Sequence, residues 1–268
     1  MKKLICLLLA MLICPAALAQ DILADERFAL DLDGNGSMEE LVLRVEGVEN
    51  EEILALYAFG SDGDVYRYEM LVPIYEGGFV RDLDGDGSME IVISGDWYSD
   101  DYVTWCLSYV ENEGLLPLPF SAVDRSGAGE GSEAYGYGKV TAVEGNVLTL
   151  TGSQDVLGTW MMDADFALVN GAFEMPEALW RVHTIDWEYE GLILARELTV
   201  TVDESETVLQ PGEEILPVAS DLASWVDVET RDGRRGRMAV SPNEETGWGF
   251  LLNGVPDEDC FEYLPWAD

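Results

Sequence analysis

The stretch Asp82-Leu83-Asp84-Gly85-Asp86-Gly87-Ser88-Met89-Glu90 sets acids at its first, third, fifth and ninth positions with glycines between them. A near copy, Asp31-Leu32-Asp33-Gly34-Asn35-Gly36-Ser37-Met38-Glu39, lies 51 residues earlier and differs only in having Asn35 where the second has Asp86. Glycines let such a backbone turn tightly, so that alternate side chains converge on one point. Convergent carboxylates repel one another unless a cation sits among them, and calcium takes roughly six to eight oxygens at short range. Asp-Gly and Asn-Gly are also good turn formers in their own right, so a plain tight turn is the competing reading of either copy. Duplication of the whole acidic pattern favours two calcium loops.

An EF-hand opens in the same way but needs a bidentate carboxylate at its twelfth position. Val42 and Ile93 stand there instead. The segments after the loops, Leu41-Val42-Leu43-Arg44-Val45 and Ile91-Val92-Ile93-Ser94, are short, apolar and rich in branched residues, which suits strands rather than helices. A strand, loop, strand unit of this kind resembles the bacterial repeats of the FG-GAP or VCBS type, related to the calcium-bearing blades of integrin-like β-propellers. The resemblance implies as ligands the side chains of Asp82, Asp84, Asp86 and Glu90 with the Ser88 carbonyl, and Asp31, Asp33, Asn35 and Glu39 with the Ser37 carbonyl. The ninth position holds Glu rather than Asp, and no Gly-Ala-Pro comes after either strand. Glu40 sits where an apolar strand residue is expected, so Glu39 and Glu40 both stand as the ninth-position ligand of the first loop.

The two copies align over about residues 21–120, with Phe28 on Phe79 and Asp31 on Asp82. In the first, Ile53–Phe59 and Val65–Leu71 flank Gly60-Ser61-Asp62-Gly63-Asp64 as a hairpin, and in the second Tyr102–Val110 takes the matching place. Units that bury their faces by stacking are expected in threes or more. Beyond a Gly-, Ser- and Ala-rich loop at Ser121–Gly138, the runs 139–143, 147–151, 158–162 and 166–169 read as a third, degenerate repeat without the acidic loop.

From Glu197 to Val240 the order is a strand at Leu198–Val202, a turn at Pro211-Gly212, Trp225-Val226-Asp227-Val228 and an Asp232-Gly233 hairpin. This order is similar to bacterial SH3-like barrels, with Arg237 where a Trp or Tyr often follows the second hairpin glycine in that family. Pro256 followed by Asp257, Glu258 and Asp259 predicts a short helix in a C-terminal cap. The expected fold class is therefore mostly β: propeller-like or stacked antiparallel repeats over residues 20–180, then a small SH3-like barrel over 181–268.

Residues 1–19 carry Lys2 and Lys3, an apolar run and Ala17-Leu18-Ala19, the pattern of a secretory signal cleaved after Ala19. A lipoprotein signal at Cys14 would need a small residue where Ile13 stands. Export leaves Lys139 as the only lysine and Cys106 and Cys260 as the only cysteines, which predicts either one disulfide or two buried thiols. A formal charge of -39 opposes nucleic acid and anionic membranes and favours divalent cations and basic partners.

His183 is the only histidine, and no Gly-x-Ser-x-Gly elbow accompanies it, which predicts a packing or surface role rather than a catalytic triad. Among 53 acids, carboxylate pairs suited to a glycosidase arise without selection for catalysis. Trp97, Tyr98 and Trp105 could stack on sugars or pack in a core, and the cluster Arg231, Arg234, Arg235 and Arg237 could clamp an anion or pair with this chain's own acids. The sequence therefore predicts a secreted, non-enzymatic binding or scaffold protein in which calcium is structural. Its expected partners, besides calcium, are a cell-wall glycan or another exported protein. A secreted carboxylate-dependent hydrolase acting on glycans is the alternative.

Overall fold

The computed structural model describes residues 19–48, 51–61, 63–121, 132–184, 191–202 and 205–266. The export segment up to residue 18, residues 122–131 of the expected loop and Asp62 of the first hairpin turn lie outside the described residues. The described chain is almost entirely β, with a single 3-10 turn, Asp257–Asp259, where the short helix is expected.

Strands β1 (Gln20–Asp21), β2 (Arg27–Leu30), β3 (Glu39–Val48), β4 (Glu51–Phe59) and β5 (Val65–Met70) open the chain, and β2 to β5 make a four-stranded antiparallel meander. β6 (Ile74–Arg81), β7 (Glu90–Asp96), β8 (Tyr102–Val110) and β9 (Gly114–Pro117) repeat it in a second sheet, to which β1 adds on one side. The registers match as the sequence alignment predicts: Phe28 faces Leu41 and Leu30 faces Glu39, while Phe79 faces Val92 and Arg81 faces Glu90.

After β10 (Phe120–Ser121), β11 (Ser132–Glu133) and β12 (Gly136–Tyr137), which pairs with β8, come β13 (Lys139–Glu144), β14 (Val147–Asp155), β15 (Thr159–Val169) and β16 (Ala172–Glu174). The two runs 158–162 and 166–169 belong to one strand, β15. Alternation continues unbroken through Trp160, Met162, Ala164, Phe166 and Leu168, all buried, so the backbone has no reason to turn between them.

β17 (Trp180–Val182) pairs with both β15 and, further on, β21, joining this meander to the C-terminal strands. These are β18 (Leu192–Ile193), β19 (Leu198–Val202), β20 (Ser205–Leu209), β21 (Glu214–Ser220), β22 (Trp225–Thr230), β23 (Arg235–Pro242), β24 (Phe250–Leu252) and β25 (Val255–Pro256). Together with β10, β11 and β13 to β17 they form one continuous third sheet.

The second sheet lies between the other two. Successive strand residues point to opposite faces, and here both faces are covered. Ile91 and Ile93 of β7 and Trp105 and Leu107 of β8 join one core with Leu41, Leu43, Leu54 and Leu56 of the first sheet. Val92 and Cys106 join another with Leu148, Leu150, Met162 and Phe166 of the third. Every residue of β7 is buried, which is why Ile91, Val92 and Ile93 make an apolar run rather than an alternation. Cys106 and Cys260 are both buried free thiols, the second of the two outcomes open to them. Burial pushes the Cys106 thiol well above its ordinary value, with Glu90 adding to the rise, and raises Cys260 to about 11.

Candidate metal centre

Both acidic loops connect the first two strands of their meanders, β2 to β3 and β6 to β7. Gly34, Gly36, Gly85 and Gly87 have φ of 71, 88, 81 and 98°, the left-handed region that a side chain disfavours. With the chain folded back at these points, the first acid of each loop accepts from the sixth residue: Gly36 N–H donates to Asp31 Oδ2 at 2.9 Å and Gly87 N–H to Asp82 Oδ2 at 3.2 Å. The fifth residue also reaches forward, as Ser37 N–H donates to Asn35 Oδ1 and Ser88 N–H to Asp86 Oδ1, both at 2.7 Å. Ser37 and Ser88 thus contribute backbone to the loop frame.

The ninth position closes each loop from beneath. Leu32 N–H donates to Glu39 Oε2 at 3.0 Å, and Leu83 N–H donates to Glu90 Oε2 at 2.7 Å. Glu39 and Glu90 are 1% and 5% exposed, so these are carboxylates drawn into the protein. Glu40 turns away and pairs with Arg27 at 2.8 Å on the surface, which selects Glu39 of the two candidates as the residue facing the loop.

In the first loop, carboxylate oxygens of Asp31, Asp33 and Glu39 lie within 4.8 Å of one another, and in the second those of Asp82, Asp84 and Asp86 do. Glu90 stands below its trio on the Leu83 amide, and the Asn35 amide donates to Asp33 Oδ2 at 2.9 Å. Glu39 Oε1 and Asp31 Oδ1 are buried and have no hydrogen-bond partner. Burial chiefly raises the Glu39 carboxyl, assisted by Asp33 and Asp31 and opposed by the Leu32 amide. The same balance is stronger at Glu90, where burial and then Asp84, Asp86 and Asp82 push it up to about 7. In the first loop the orphaned acceptor oxygens of Asp31 and Glu39 fit a hard cation, whose charge would relieve both the unmet acceptors and the repulsion.

Sequence reasoning missed that the two loops touch. Met89 N–H, in the second, donates to the Leu32 carbonyl of the first at 2.7 Å, and a Cβ on Gly34 would come 2.7 Å from the Gly87 carbonyl oxygen. The available signal was Leu32 and Leu83, apolar residues inside acidic turns; they are 0% and 5% exposed and anchor the loops to the two cores.

The remaining candidates separate clearly. Arg231 pairs with Glu214, Arg234 with Glu213 and Asp232, Arg235 with Glu229, and Arg237 with Asp227 while lying 3.7 Å from the Trp225 ring centroid. The arginine cluster is thus folded onto the chain's own acids. His183 Nδ1 meets Asp163 at 2.9 Å on the surface. Trp105 is buried against Tyr135, whereas Trp97 and Tyr98 are exposed. No family model matches the chain, and neither a curated protein nor a solved structure shows significant similarity to it.

Proposed function

We propose that this chain is an exported β-repeat protein in which each acidic loop holds a calcium ion as a structural element, and that it serves as a binding or scaffold module for a cell-wall glycan or another exported protein. The observation that carries the cation reading is Glu39, a buried carboxylate with one oxygen on the Leu32 amide and the other without a partner, beside Asp31 and Asp33. A buried acceptor left unmet costs about 1–3 kcal/mol, and more when charged. Asp31, Asp33, Asn35, Glu39 and the Ser37 carbonyl would hold one ion, and Asp82, Asp84, Asp86, Glu90 and the Ser88 carbonyl the other. Calcium supplies double positive charge that lets clustered carboxylates ionise together. The chain itself sets the frame: the buried Glu at position nine ties the loop entrance to the start of the next strand. In this reading β2–β5 and β6–β9 are blade-like units of the FG-GAP or VCBS type, β13–β16 is a third that lacks the loop, and β19–β23 is SH3-like.

Thermal melts of the mature protein in calcium and in chelator test the proposal. At free calcium of about 100 times the dissociation constant one site adds roughly 2.7 kcal/mol. The expected result is a rise in melting temperature that Asp31→Ala and Asp82→Ala each reduce. Superimposable melts in calcium and chelator would overturn it.

A further inference from the structure

Between the turn after β7, the start of β8, β12 and the end of β14 lies a cavity of about 220 Å³ that shares no residue with the acidic loops. Trp97, Tyr102 and Tyr137 give it aromatic walls, Asp100 and Asp101 give it carboxylates, and Ser153 and Gln154 line it from the sheet. Trp97 and Tyr137 are 44% and 38% exposed, and the Tyr137 ring meets that of Tyr135 edge-on at 5.5 Å. Gln154 is 2% exposed and its Nε2 has no hydrogen-bond partner, a buried donor without an acceptor. The turn that carries the acids is held in an unusual backbone: Tyr98, Ser99 and Asp100 have φ of 90, 66 and 65° in succession. Left-handed runs of bulky residues persist where the surroundings enforce them. Tyr98 N–H donates to the buried Asp96 at 3.0 Å, and the Tyr102 hydroxyl donates to Asp100, which together fix the turn.

The charged groups of the lining are all of one sign. Ionised carboxylates only accept, and the faces of aromatic rings are negative. Among the described residues no basic side chain lines the cavity; Lys139 stands outside it, held by Glu76 at 3.3 Å and over the Tyr102 ring at 3.9 Å. Burial first, then Glu76, Asp100 and Asp101, raise the neighbouring Asp96 carboxyl, as expected where negative charge is crowded. A cation meets ring faces and carboxylates together, and the orphaned Gln154 amide asks in addition for an acceptor oxygen.

We propose that this cavity binds a primary ammonium group with a carbonyl oxygen beside it, the arrangement found at the N-terminus of a peptide and in an amino-acid amide. The ammonium lies against Trp97 and Tyr137 with Asp100 and Asp101 as its acceptors, and the carbonyl takes the Gln154 amide. Site and ligand are independent of cation binding at the acidic loops.

Tryptophan fluorescence and calorimetry on the mature chain, at constant calcium, test this with alaninamide and trialanine amide. Saturable binding with a dissociation constant on the order of 1 mM or tighter is expected. Tighter binding of trialanine amide identifies a peptide end as the source, and equal binding identifies the small amide. Asp100→Asn and Asp101→Asn keep the shape of the turn, since Asn tolerates the left-handed backbone, and each should weaken binding roughly tenfold. N-acetylalaninamide, which lacks the charge, should not bind. Equal binding of the acetylated probe, preferential binding of N-acetylglucosamine, displacement by calcium itself, or no binding of either amide would each overturn the assignment.

Discussion

The Met89 amide of the second acidic loop donates its hydrogen to the Leu32 carbonyl of the first, across 2.7 Å. The same Leu32 offers its own amide to Glu39. One residue of the first loop therefore connects its buried carboxylate to the backbone of the second at Met89, the residue next to Glu90.

Cation binding at the two loops should accordingly be coupled. Allosteric couplings of about 1–3 kcal/mol are common, and this contact is short and direct. Calorimetric titration of Asp31→Ala is expected to show weaker binding at the remaining loop, by roughly fivefold or more. Gly34→Ala should break the coupling and destabilise the fold by about 2 kcal/mol or more, because Gly34 has φ 71° and a Cβ there would meet the Gly87 oxygen. Independent sites in the wild-type protein would show that the contact transmits nothing.

The second loop should bind more tightly. It has Asp86 where the first has Asn35, and Asn35 spends its amide on Asp33 Oδ2 at 2.9 Å, occupying an oxygen that could otherwise meet a cation. Ligand charge tunes calcium affinity over orders of magnitude. Exchanging the two residues, Asn35→Asp with Asp86→Asn, should therefore reverse the order of filling, measured as calcium affinity in each single-loop background. An unchanged order would place the difference outside this position.

The mostly β fold, the two hairpins of the first repeats and their common register were legible because they depend on local chemistry: Gly-centred turns, branched strands and a duplicated nine-residue pattern. Ile91-Val92-Ile93 gave the strand but not its surroundings; that Ile91 and Ile93 face one sheet and Val92 another depends on three layers meeting, which no window of sequence contains. Glu39 and Glu40 were indistinguishable as neighbours of one type until strand pairing put Arg27 beside Glu40. Asp163 and Asp165 made β15 look like two strands, although they occupy only its outer face and accept from Thr151, Thr149 and Arg181. The Trp97 cavity was half legible: Trp97 stood out as an aromatic that could stack on a ligand, whereas Gln154 reaches it from far along the chain.

Cys106 and Cys260 should behave as buried thiols. A thiol reagent reacts with the thiolate, and burial disfavours that form at Cys106 and Cys260. Under native conditions labelling of residues 20–268 should be slow, and in denaturant without reductant two thiols should react. Labelling only after reduction would establish a disulfide in place of the thiols.

Glu90 contributes to the pH dependence of the cation-free protein. Its folded value of about 7 lies above the ordinary 4.5, because burial and the three loop aspartates oppose its charge. The folded state thus holds this proton more tightly than the unfolded chain, and the associated stability is complete below about pH 4.5 and lost as pH rises through 7. In chelator, Glu90 should therefore contribute a fall in melting temperature between pH 5 and pH 8, and the loss amounts to about 3 kcal/mol at most. Glu90→Gln keeps the acceptor for the Leu83 amide without the charge, so it should flatten this dependence and be more stable than wild type in chelator at pH 8. With calcium present the order should reverse, since the neutral amide gives a cation less than a carboxylate does. A Glu90→Gln protein whose melting tracks wild type across the same range in chelator would mean that this carboxyl is solvated in the cation-free protein.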